Sequence, residues 1–250
     1  IENTPIEAKF VKYHLTHIKL SKSGFFYGKN DYLCSLIYNK KFLQTMINRI
    51  LIRIKVLQIV YSYYQNGNGD LKVAENELLF SLQKSYDLYY YFLLLIIEVT
   101  NLQRRILDTR KCKYMPTDEE LNPNTRFVDN RFVAQLAEND TLKKYVDEQG
   151  LSWSNDEEFV KNVLDTILSS EIYAEYLKNE EDSYETDREF WRQIFKKVIC
   201  GNEMIEEYLE DKSIYWNDDI EIVETFALKT IKKFEEKKGS KQALLPMFKD

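Results

Sequence analysis

From residue 47 onward the apolar positions Ile47, Ile50, Ile54, Leu57, Tyr61 and Tyr64 recur at steps of three and four. That period predicts a helix with one apolar face turned to a core. The run stops at Asn66-Gly67-Asn68-Gly69, and Asp70 is placed to cap the next helix. Leu71, Ala74, Leu78 and Leu82 continue the helical pattern to a short break at Tyr86 or Asp87. A long helix is then predicted over about 88–110, opening with an unbroken apolar run at 88–97. Ten residues are too few to span a bilayer, which takes about 20, so the run reads as a core helix. Arg104, Arg105, Arg110, Lys111 and Lys113 at its C-terminal end complement the helix dipole.

After a loop over 114–125 that contains Pro116 and Pro123, helices are predicted at about 126–138 and 141–148. Asn155 is read as the cap of a helix reaching about residue 168, followed by one over 171–178. The last three are predicted at about 184–200, at 202–211 after the Gly201 stop, and at 218–237 after an Asn217 cap. Seven Gly and four Pro in 250 residues are too few turn formers for a sandwich or barrel, so the fold class is all-α. Four regions are expected: a basic leader at 1–45, an N-terminal helical region at 46–113, a helical insertion at 114–182 and a further helical region at 183–250. Residues 1–45 are read as translated upstream sequence, with Met46 as the natural start.

Charge sharpens this division. The chain carries a net −6, yet residues 1–45 hold seven Lys against three acids, and residues 46–65 hold Arg49, Arg53 and Lys55 with no acid. The rest of the chain is strongly acidic, so a polyanion would be drawn to the N-terminal third. Arg49 and Arg53 stand one helical turn apart and share a side, with Lys55 on the other flank of the apolar face. Cations fixed on a rigid helix suit phosphate, which makes these three the candidate RNA-binding residues.

Catalytic chemistry finds little support. Residues 46–250 contain no histidine, which removes Ser–His and Cys–His pairs and the imidazole metal sites. His14 and His17 have the spacing of a helical metal pair but no third ligand, and no metal or cofactor is expected. No P-loop or GxGxxG motif occurs. Glu206-Glu207 and Asp218-Asp219 are adjacent pairs and read as solvated faces, so the chain is not expected to be an enzyme. Cys34, Cys112 and Cys200 are widely spaced, which suits a reduced, cytoplasmic chain without disulfides.

Arg49, Arg53, Gln58 and Tyr61 stand in the order Arg-x3-Arg-x4-Gln-x2-Tyr at the start of a first helix. This resembles the N-terminal signature of the NusB transcription antitermination factors, and the stretch from Met46 to about Arg105 and the segment 187–203 resemble a long, lineage-specific form of that family. The resemblance implies a NusB-like helical bundle that binds boxA-type nascent RNA with a NusE-type ribosomal protein, as part of the RNA polymerase elongation complex, with no membrane association. It places Arg49 and Arg53 at the RNA; Lys55 is added from its charge alone. Gln58 and Tyr61 are assigned to helix packing. The family's Asn-Gly-x-Leu-Asp motif is absent, so the chain is expected to lack the C-terminal half and to expose apolar faces that half would cover. The alternative is a helical protein-interaction module without RNA binding, with its docking surface in residues 114–182 around Trp153 and neighbouring tyrosines.

Overall fold

The computed structural model describes residues 49–65, 67 and 70–246, apart from the side chains of Arg49 and Ile50. Thr45–Asp250 forms one compact unit; the other, Ile1–Gln44, lies outside the described residues. So do His14, His17, Cys34 and Met46. The described residues are helical, with no strand among them. The helices are α1 (Arg49–Gln65), α2 (Leu71–Lys111), α3 (Asp118–Leu121), α4 (Arg131–Ala137), α5 (Asp140–Gln149), α6 (Glu157–Leu168), α7 (Glu171–Lys178), α8 (Tyr184–Ile194), α9 (Glu203–Lys212) and α10 (Ile220–Lys233). A π-helical turn, Phe195–Ile199, extends α8, and a 3₁₀ turn, Glu236–Lys241, follows α10.

The 41-residue α2 is the axis, roughly 60 Å long at 1.5 Å per residue. Asp70 caps it as expected, its side chain accepting from the Lys72 N–H at 2.9 Å. Between Leu88 and Val99 it is buried on nearly every side, because α1, α4, α5, α6 and α10 all pack against it. The expected break at Tyr86 or Asp87 does not occur. No Gly or Pro interrupts this stretch, and buried Asp87 is satisfied without ending the helix. Its carboxylate accepts from Lys84 Nζ at 2.7 Å and from Tyr145 Oη of α5 at 2.9 Å. No helix among the described residues is long and apolar enough to cross a membrane.

Several boundaries shift for local reasons. Residues 126–129 form a turn, and α4 starts only after Asn130. The Asn130 Oδ1 caps Val133 N–H, while Nδ2 donates to Tyr176 Oη and the Asp187 carbonyl, both at 3.2 Å. The α6 cap is Asp156 rather than Asn155, and the α10 cap is Asp219 rather than Asn217. Neither aspartate bonds its own helix; both carboxylates reach across to other elements. After α8 the backbone widens, so that Cys200 N–H donates to the Phe195 carbonyl at 2.8 Å, and Gly201 turns the chain with a φ of 68°.

Candidate interaction surface on the first helix

α1 is apolar almost all round, with Leu51, Ile52, Ile54, Val56, Leu57, Ile59 and Val60 spread over its circumference. Period alone therefore does not choose its buried side. A charge does. Lys55 is only 2% exposed. Its ammonium donates to the Tyr215 carbonyl at 2.6 Å and lies 2.9 Å from Asp219 Oδ2. Ser85 of α2 donates to the same carboxylate oxygen at 2.5 Å. Burial pushes the Asp219 carboxyl up from its ordinary range, and Lys55 and Ser85 pull it back.

The segment 213–219 makes this possible by folding against both α1 and α2. Gln58 Nε2 donates to Asp218 Oδ2 at 2.5 Å, and Trp216 Nε1 donates to the Lys84 carbonyl at 2.8 Å. Tyr215 meets the Phe80 ring edge-on at 5.2 Å and donates to Glu77 Oε1 at 2.6 Å. Leu51, one turn before Lys55, is completely buried on the same side.

The opposite side of α1 is then outward. Arg53, Leu57, Tyr61 and Tyr64 step by four, four and three, and all are exposed. Leu57 is 45% exposed, Tyr61 52% and Tyr64 51%. This reverses the expected orientation: Leu57, Tyr61 and Tyr64, read as the core face, look away from the core. Tyr61 packs against no core helix; its hydroxyl accepts from Gln65 Nε2 at 3.0 Å.

The three sequence-predicted cations are not assembled into one array. Arg53 is exposed on the aromatic side. Lys55, two residues on, points inward, where its partners close it from phosphate. Arg49 opens α1, and its side chain lies outside the described residues. The docking surface expected around Trp153 is also displaced. That indole is 2% exposed and stacked between Tyr91 and Phe159, whereas Tyr114 and Met115 are the residues of that region most open to solvent. The Lys55–Asp219 contact was not readable from spacing, since it links positions 164 residues apart.

A second buried acid lies near the π-turn. Glu224 of α10 is 4% exposed, and burial pushes it up to about 7, aided by the Glu206 and Glu221 carboxylates and opposed by the Gly201 N–H and the Cys200 thiol. An open depression of about 640 Å³ lies between the end of α6, the start of α7 and the π-turn. The Thr166, Ser169 and Ser170 hydroxyls that line it all donate to carbonyls of α6. Among the described residues no group of three or more His, Cys, Asp or Glu is arranged to hold a metal ion. No protein-family model matches the chain, and neither a curated protein nor a solved structure was found similar to it.

Proposed function

We propose that this chain is a helical protein-interaction module whose docking face is the outward side of α1. The observation that carries this reading is the exposure of Leu57, Tyr61 and Tyr64 on one side of a helix whose other side is locked down by Lys55. Aromatic rings carry about 150–250 Å² each, so two half-exposed tyrosines alone offer on the order of 200 Å² of contact surface. Tyrosine is enriched in interface cores because it supplies large contact area at low conformational cost, with a hydroxyl that tolerates water. The matching occupant is a protein presenting an apolar surface of its own.

A second reading keeps the RNA function that the NusB resemblance implies. Exposed Arg53 on the same face as Tyr61 and Tyr64 favours it, because unpaired bases stack on aromatic rings while a cation holds the backbone. The two readings separate in one titration. The chain is mixed with a NusE-type ribosomal protein, with boxA-type RNA, or with neither, and followed by sedimentation. Association with the protein in the absence of RNA, or self-association, weakened by Tyr61→Ser/Tyr64→Ser, supports the interaction module. Binding of RNA alone, lost in Arg53→Ala with a reduced salt slope, supports the second reading. A monomer that binds neither overturns both.

A further inference from the structure

A second cation in this protein is held quite differently from Lys55. Lys212, the last residue of α9, reaches back toward α2 and α6. Its ammonium lies 5.3 Å from the ring centre of Tyr91, 5.5 Å from Tyr208 and 5.7 Å from Trp153. It pairs with Asp156, whose carboxylate also accepts from Tyr91 Oη at 3.0 Å. The Tyr208 hydroxyl is 3.5 Å from Nζ. Hydrogen bonds from Lys212, Tyr208 and Tyr91 hold the Asp156 carboxyl below its usual range against the opposing effect of burial.

The walls of this box are fixed. Tyr91 and Trp153 stack at 3.8 Å, Phe159 and Tyr208 at 3.8 Å, and Trp153 lies parallel to Phe159 at 5.4 Å. Trp153 is locked by its Nε1 donating to the Tyr91 carbonyl at 3.1 Å. The occupant is not locked to the same degree. The Lys212 side chain is 32% exposed and enters from a helix end, whereas the Asp156 side chain is 13% exposed. On the Trp153 side a cavity of about 250 Å³ is lined by Glu98, Glu157, Arg105 and Ser154.

Three aromatic rings and one carboxylate around an alkylammonium form a recognised ammonium-binding chemistry, in which the ring quadrupoles favour soft, weakly hydrated cations. From this placement we infer that Tyr91, Trp153, Tyr208 and Asp156 form a binding box for an alkylated ammonium group, closed in cis by Lys212 acting as an internal stand-in for the ligand. Withdrawal of Lys212 opens the box to a methylated ammonium, which fits the rings better than a primary amine because it carries its charge on a larger, less hydrated surface. The ammonium arrives either on a free quaternary amine or on a methylated lysine of another protein, and both present the same head group.

The test uses the full chain with Lys212→Ala and, as a second opening variant, Lys212→Ser. Tetramethylammonium, choline and a short peptide containing trimethyl-lysine are titrated against each, following the indole N–H resonance of Trp153. Saturable binding at least tenfold tighter in either variant than in the unmodified chain is expected. Adding Asp156→Asn or Tyr208→Leu to the opened chain should abolish it. Tighter binding of the peptide than of choline assigns the site to a protein-borne ammonium, and the reverse order assigns it to a free amine. Absence of saturable binding in both opened variants, with native circular dichroism retained, overturns the inference. Binding that survives Asp156→Asn and Tyr208→Leu also overturns it, because the cation then sits elsewhere.

Discussion

Replacing Lys55 by Met removes the cation beneath α1 while keeping most of the side chain's bulk. Asp219 would then be a fully buried carboxylate with Ser85 as its remaining side-chain donor. Removing one partner of a buried pair costs about 3–5 kcal/mol, because the other charge is left uncompensated. The protein has an escape route: Asp219, already pushed up by burial, rises further and takes a proton. The unfolded chain loses that proton near the ordinary aspartate value of about 3.9, so the folded variant binds it more tightly and loses stability as pH rises. The penalty of Lys55→Met is therefore smallest near pH 4 and largest above neutrality. Urea unfolding followed by far-ultraviolet circular dichroism at pH 5 and pH 8 measures it. Asp219→Asn removes the charge that suffers, so the penalty in that background should shrink by about 2–3 kcal/mol. A penalty below about 1 kcal/mol at pH 8, or one unchanged by Asp219→Asn, refutes the buried pair.

Other outcomes rest on the same geometry. Leu51→Ala should cost about 2–5 kcal/mol because Leu51 is fully buried, while Leu57→Ala should cost under about 1 kcal/mol, and equal costs in denaturant titration would mean α1 is turned the other way. Glu224 holds its proton to about pH 7 in the folded chain but only to about 4.3 when unfolded, so stability should fall by roughly 3 kcal/mol between pH 4.5 and 7 and level off above. Glu224→Gln should flatten that part of the pH profile, and a profile unchanged by the substitution counts against its burial as an acid. Arg53→Ala should leave the unfolding midpoint nearly unmoved, since that side chain is exposed.

How much was legible in the sequence depended on whether the deciding contact was local. The helix at 171–178 was placed to the residue, and the Asp70 cap and the Gly201 stop were correctly read, because caps and stops act within a few positions. The caps of α6 and α10 were misplaced by one and two residues because Asp156 and Asp219 turn their carboxylates to lysines distant in sequence. The break in α2 was expected from a polar residue at Asp87, whose partners Lys84 and Tyr145 lie one turn back and on another helix. The facing of α1 failed for a sharper reason. An apolar stripe orients a helix only when the other sides are polar, and here the buried side was set by Lys55, the residue assigned to phosphate. Trp153 was read as a docking residue from its type, yet its indole is an inner wall of the Lys212 box.

The central claim is that α1 keeps its lysine inside and offers Leu57, Tyr61 and Tyr64 to another protein. The most direct measurement is the affinity of the chain for a NusE-type ribosomal protein without RNA, compared with that of Tyr61→Ser/Tyr64→Ser at matched unfolding midpoints. The predicted result is association that weakens at least tenfold, or about 1.4 kcal/mol, in the double variant. Association unaffected by the two tyrosines, or seen only when boxA-type RNA is supplied, would contradict it.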